Sequence, residues 1–200
     1  MEMLDPLALA ASLAWAAGLR VYGTVFFVGV LAQLGWVDLP GNLHVLGEPW
    51  IIALSGILFG LEFFADKIPA VDSLWDAFNT FVRVPGGALL AALALGDSSG
   101  VAMTAAALLG GTLAGGTHLA KSGARAAINT SPEPVSNWLA SFTEDGVALG
   151  LPVLALTFPW VFVGALCIFL LLLIWLLPKL IRFAWRILQR LWAREASGKA

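Results

Sequence analysis

The chain has 200 residues, 60% of them hydrophobic and 12% charged, with a mean hydropathy of +0.88 and a formal net charge of −2. Soluble domains average roughly 45–50% apolar and 25% charged residues, so the composition excludes an ordinary water-soluble protein and indicates one compact integral membrane domain. The charges are unevenly placed: six of the eleven Lys and Arg fall in the last 22 residues, and the other five lie in or beside stretches long enough to span a bilayer.

Apolar windows of about 17 to 25 residues predict an all-α bundle of six spans, at 7–34, 49–66, 74–96, 100–121, 135–156 and 158–178. Met1 to Pro6 lacks a basic n-region, so no cleavable signal is expected and the first span should be retained. Pro40, Gly41, Asn42 and Gly47 read as an ordered loop after it, and Gly96 to Gly100 as a tight turn. Cys167, the single cysteine, lies in the most apolar run, which leaves no disulfide framework.

Short loops rich in Lys and Arg stay on the cytoplasmic side. Lys67 follows span two, Lys121 and Arg125 follow span four, and the intervening loops carry no basic residue. Six spans with both termini cytoplasmic satisfy every loop. The expected organisation is a transmembrane helical domain over 1–178 and a basic amphipathic cytoplasmic tail over 179–200. In that tail Lys179, Arg182, Arg186, Arg190 and Arg194 recur every three or four residues opposite Ile181, Trp185, Leu188 and Trp192, the pattern of a helix lying on anionic lipid. Pro178 is expected to end or kink the last span.

Ionisable groups inside spans are expensive to insert, about 2.5 to 3.5 kcal/mol each, and are functional-site candidates for that reason. In the first span Gly18-Leu19-Arg20-Val21-Tyr22-Gly23 places Arg20 near mid-membrane, where it needs a buried partner; depth favours Glu144 or Asp145, with Glu62 second. The run Leu61 to Pro69, with Asp72, Asp76 and Arg83 beyond it, holds Glu62 and Asp66 four apart on a helical face and Asp72 and Asp76 likewise. Lys67 and Arg83 are their expected counter-charges. The cluster reads either as a site for an ion, proton or cationic substrate or as a salt-bridge knot between spans.

Gly110, Gly111, Ala114, Gly115 and Gly116 form a small face suited to close helix packing. His118, Lys121 and Arg125 then follow at helical spacing, a face that suits an anion such as phosphate or pairing with the carboxylates. His118 reads either as a proton carrier or as a hydrogen-bonded structural residue. Asn129 to Pro134 breaks the helix. Glu144 and Asp145 lie deep in the next span, where adjacent carboxylates are not expected to share a face, and Gly146, Gly150 and Pro152 permit a discontinuous helix there. Two pairs of landmarks, Glu48-Pro49 with Glu133-Pro134 and Glu62…Pro69 with Asp145…Pro152, suggest inverted three-helix repeats.

The run E-x-x-A-D-K-I-P-x-V-D-x-x-x-D from Glu62 to Asp76, with Thr80, Arg83 and Gly87, resembles a bacterial membrane family, domain of unknown function 4126. Gly18-Leu19-Arg20, His118, Lys121, Arg125, Asn129, Asn137, Ser141 and Glu144-Asp145 share in the resemblance, which covers roughly 7–156. The family pattern tends to place a proline after the Arg of its first motif; Val21 and Tyr22 stand here, without the proline that would break the helix. The resemblance implies a polytopic inner-membrane protein and names no substrate.

The leading functional expectation is a small secondary transporter or lipid flippase, proton-coupled through Glu62, Asp66, Glu144 or Asp145, with Arg20, Lys121 and Arg125 engaging an anionic substrate or the carboxylates. A non-catalytic scaffold is the alternative. A lipid-modifying enzyme is disfavoured because H-E-x-x-H and G-x-S-x-G motifs are missing and Ser122 and Ser141 lack triad spacing. No cofactor or metal centre is expected, since two His, three Met and one Cys do not cluster. The expected partners are the bilayer, anionic lipids at the tail, a small ion or lipid substrate, and a second copy as a candidate homo-oligomer; no nucleic acid is expected.

Overall fold

The computed structural model describes residues 4–96, 98–128 and 134–197 and, among them, is entirely helical. In chain order it contains α1 (Leu4–Gln33), a 3-10 segment (Gly41–Gly47), α2 (Pro49–Ala65), α3 (Pro69–Ala94), α4 (Gly100–Ile128), α5 (Pro134–Thr157) and α6 (Pro159–Ser197). Proline opens α2, α3, α5 and α6, where its missing N–H costs no intrahelical bond.

Helix α1 is central, packing against every other helix. Of its apolar window 67% is buried, against 6% for α6, which lies on the outside. Leu9, Leu13, Ala17 and Val21 of α1 meet Leu90, Ala91 and Ala94 of α3, with Leu43 and Leu46 of the 3-10 segment closing one end. On the opposite side Trp15 stacks on Phe169 of α6 at 4.2 Å and packs with Ala148 and Leu151 of α5. Large apolar side chains such as Phe81, Leu108, Leu139 and Leu171 face outward, whereas arginines and carboxylates are sealed inside. That inversion of soluble-protein packing suits hydrocarbon, which rewards apolar surface and penalises exposed charge.

Among the described residues, five helices are long and apolar enough each to cross a membrane, or six spans if the bent pair of the 3-10 segment and α2 counts as one. The second expected span, α2, has 17 residues, about 25 Å at 1.5 Å per residue against a hydrocarbon core of about 30 Å. The 3-10 segment meets it at a bend of 71°, so the pair forms either one broken span or a re-entrant element. The other expected spans each match one helix, with α4 and α6 running several residues longer than their apolar windows.

Two expectations about helix breaks are corrected. Helix α5 runs unbroken through Gly146, Gly150 and Pro152, because a proline removes only one donor and both glycines keep helical neighbours. Pro178 does not end α6, which continues through it as one helix, and Arg182 Nε donates to the Pro178 carbonyl at 3.1 Å; the boundary at 178/179 falls within that helix. The side chains of Arg186, Arg190, Arg194, Leu188 and Trp192, and Lys199, lie outside the described residues. The internal break is in α1, where Arg20 has φ −149° and ψ 79° despite the missing proline.

Candidate functional site

The break at Arg20 is held by its own hydrogen bonds. Thr24 Oγ1 donates to the Arg20 carbonyl at 2.8 Å, and Lys121 Nζ donates to the Leu19 carbonyl at 3.2 Å. A cation from α4 thus satisfies backbone oxygen beside the distortion, which apolar surroundings require. Gly18, two residues earlier, makes the approach possible: a Cβ there would lie 2.5 Å from the Ala114 carbonyl oxygen and 2.6 Å from Thr117 Cβ.

The Arg20 side chain is fully buried. Its Nη1 lies 2.5 Å from Asp66 Oδ2 and its Nε 2.8 Å from Asp145 Oδ1. Nη2 donates to Ser141 Oγ at 3.0 Å and stands 3.8 Å from Glu144 Oε2. Asp66, at the C-terminal end of α2, also receives Arg125 Nη2 at 3.5 Å and has Lys121 Nζ at 3.6 Å. Arg125 grips Glu144 with Nε at 2.8 Å and Nη2 at 2.9 Å, and Nη1 donates to Asn137 Oδ1 at 2.5 Å. This two-pronged grip is the geometry in which a guanidinium binds a carboxylate most tightly.

A second set adjoins the first. Arg83 Nη2 donates to Glu62 Oε1 at 2.6 Å, and its Nη1 donates to both Asp76 Oδ1 and His118 Nδ1 at 2.8 Å. Because Arg83 can only donate, His118 Nδ1 is an acceptor. His118 Nε2 therefore carries the hydrogen and donates to Thr80 Oγ1 at 2.7 Å, while the Thr80 hydroxyl donates to the Asp76 carbonyl at 3.1 Å. Lys121 joins the sets, with Nζ 3.2 Å from Glu144 Oε2 and 3.6 Å from Asp76 Oδ1.

Among the described residues, the network unites cations Arg20, Arg83, Lys121 and Arg125 with carboxylates Glu62, Asp66, Asp76, Glu144 and Asp145, on five helices. Glu144 and Asp145 were expected to face apart, yet both reach this interior, because Arg20 and Arg125 approach α5 from two sides. Glu62 pairs with Arg83 and not with Arg20. Lys67 stands outside the network: its Nζ donates to the Phe63 carbonyl at 2.9 Å and lies 3.1 Å from the centre of the Phe63 ring. Burial beside the rings lowers its pKa below the usual lysine value. The Asp72 side chain and all of Asn129 lie outside the described residues.

Sequence reasoning gave no weight to Asn79, which is fully buried on the Asp76–Arg83 face of α3 without a hydrogen-bond partner for either amide atom. Its spacing, three residues after Asp76 and four before Arg83, was the available signal. Among the described residues no three His, Cys, Asp or Glu converge as metal ligands would.

A cavity of about 280 Å³ opens beside the network between α3 and α4, lined by Asp76, Ala77, Thr80, His118, Leu119, Ser122, Arg125 and Ala126. Fold and site together define a polytopic helical membrane protein built around a sealed ionic centre.

The family model for the domain of unknown function 4126 matches residues 7–179, and the chain belongs to that family. The match extends past α5 into α6, so the outer helix is part of the family's unit. No curated protein and no solved structure matches the chain.

Proposed function

We propose that this protein is a small secondary transporter or lipid flippase of the bacterial inner membrane, not an enzyme, and that the ionic centre is its substrate- or ion-binding site. The observation that carries the reading is the continuity between a cavity lined by Asp76, His118 and Arg125 and a sealed network that meets a helix break at Arg20. Ion pairs used only to hold helices together need neither a broken backbone nor a cavity. Buried pairs are often dispensable for stability, so their retention in hydrocarbon asks for a role. Proton coupling through Glu62, Asp66, Glu144 or Asp145 fits carboxylates that share cations, since protonating one frees its guanidinium for another partner.

If α2 with its 3-10 segment is a broken span, the count is six and the basic loops place both termini in the cytoplasm. The basic end of α6 then lies at the anionic leaflet. An inverted repeat has partial support: Pro49 and Pro134 both open helices, whereas Pro69 opens α3 and Pro152 is interior to α5. The test is reconstitution into liposomes, with proton movement and flux followed across lipids, inorganic ions and small organic ions. Movement of charge or substrate is expected; silence across the panel contradicts the proposal and favours a scaffold.

A further inference from the structure

The hydrogen-bonding capacity left in the α3/α4 cavity is one-sided. Arg125 spends its guanidinium on Glu144, Asn137 and Asp66, Arg83 donates to Glu62, Asp76 and His118, and both His118 nitrogens are engaged. The Thr80 and Ser122 hydroxyl hydrogens are also used, the latter on Asp76 Oδ2 at a long 3.3 Å. What remains toward the cavity is acceptor oxygen: Asp76 Oδ2 and the lone pairs of Ser122 and Thr80.

Charge is the weaker guide. With His118 neutral and the carboxylates ionised, the ion-paired network holds five carboxylates and four cations among the described residues, and Lys67, though not ion-paired, acts on Asp145 and Asp66 from nearby. Asp76 is already shared by Arg83 at 2.8 Å and Lys121 at 3.6 Å, so what favours a donor-rich monocation in the cavity is its set of unfilled acceptors.

The position of the cavity decides what carries that cation. Asp76 stands two residues inside the apolar stretch that begins at Leu74, and about 10 Å along α3 from Pro69 at 1.5 Å per residue. If the hydrocarbon begins with that apolar stretch, Asp76 stands where lipid headgroups meet acyl chains. The rim is alkyl and exposed at Ala77, Leu119 and Ala126, and Phe78 and Phe81 flank it on the outer face of α3. A volume of about 280 Å³ lies near the lower end of small-molecule sites, roughly 300–1,000 Å³, and admits a headgroup but not a whole lipid.

We propose that this cavity takes the primary ammonium of an amine-headgroup phospholipid, with Asp76, Ser122 and Thr80 as acceptors and the acyl chains left in the bilayer. The inference rests on the transport reading for its role, and its binding test is independent of transport. The full chain, delipidated in detergent, is offered three phospholipids with the same acyl chains, bearing ethanolamine, choline or glycerol headgroups, and retention is read by native mass spectrometry. Choline keeps the charge and lacks N–H donors. Ethanolamine lipid is expected to be retained at least about tenfold more strongly than either, the scale of lost charge-assisted hydrogen bonds, and Ala126→Leu is expected to abolish the preference by filling the rim. Asp76→Asn should abolish it too; because it also disturbs Arg83 and Lys121, Ala126→Leu is the variant that decides if Asp76→Asn does not fold. Equal retention of all three lipids, or a preference that survives Ala126→Leu, overturns the proposal. Free ethanolamine that competes at the lipid's own concentration overturns the lipid assignment in favour of a soluble amine. A chain that selects the amine lipid and moves nothing in vesicles overturns the transport reading alone; one that moves lipid without headgroup preference overturns this inference alone.

Discussion

Arg20 shows how a single side chain organises the interior. Its three side-chain nitrogens meet three residues on two helices, Asp66 at the end of α2 and Ser141 and Asp145 on α5, so neither its charge nor its shape alone accounts for its place. Arg20→Met leaves Asp66 and Asp145 short of their cation, and removing one partner of a buried pair costs about 3–5 kcal/mol; detergent-titration unfolding should register a loss of that size. Arg20→Lys keeps the charge but not the fork and should recover only part of it. At His118 the expected outcome is spectroscopic: nitrogen NMR of labelled histidine should show the hydrogen on Nε2, whereas a hydrogen on Nδ1 contradicts the Arg83–His118–Thr80 chain. The ionic residues were legible in the sequence because charge is conspicuous in an apolar chain. Their partners were less so: depth pointed Arg20 to Glu144 or Asp145, but Asp66 lies at the end of α2 and reaches Arg20 only through the way that short helix sits against α1.

Helix breaks were the least legible feature at the scale of elements. Glycine and proline marked α5 and Pro178 as weak points, yet both helices continue, and the break falls at an arginine followed by valine. Local propensity fails here because a tertiary hydrogen bond from Lys121 to the Leu19 carbonyl, which no window of α1 contains, joins the local Thr24–Arg20 bond in holding the distorted backbone. Close approach of α1 to α4 depends on Gly18 in the same way. Gly18→Ala should strongly destabilise the fold, since its Cβ would press on the Ala114 carbonyl, which is backbone and cannot rotate away. Gly146→Ala, with nothing within 4 Å of the added Cβ, should be neutral or slightly stabilising through helix propensity. Equal thermal stabilities for the two variants would refute that account of the packing.

For the whole molecule, hydropathy specified an all-helical bundle and five of its spans, and gave no sign of the 71° bend between the 3-10 segment and α2 that makes the pair a broken span or a re-entrant element. Seventeen residues sit at the margin of what spans a bilayer, so composition alone cannot distinguish a full span from a bent one. Accessibility of introduced thiols at Asp38→Cys and Ser98→Cys, in a Cys167→Ala background, addresses this: both positions should label from outside the inner membrane, and labelling on opposite sides would remove α2 from the span count. The network itself joins helices from both halves of the chain, which makes it a candidate for the moving part as well as the binding part.

The most direct measurement is flux through proteoliposomes carrying the double variant Arg20→Met, Asp66→Leu, which replaces an ion pair at 2.5 Å by apolar side chains. Removing both partners together costs less than removing either alone; Asp145 loses Arg20, while Lys121 and Arg125 keep Glu144, so the variant should fold with reduced stability and lose movement of charge and substrate. Folding with undiminished movement would contradict a working role for the ionic centre and leave it as a structural tie.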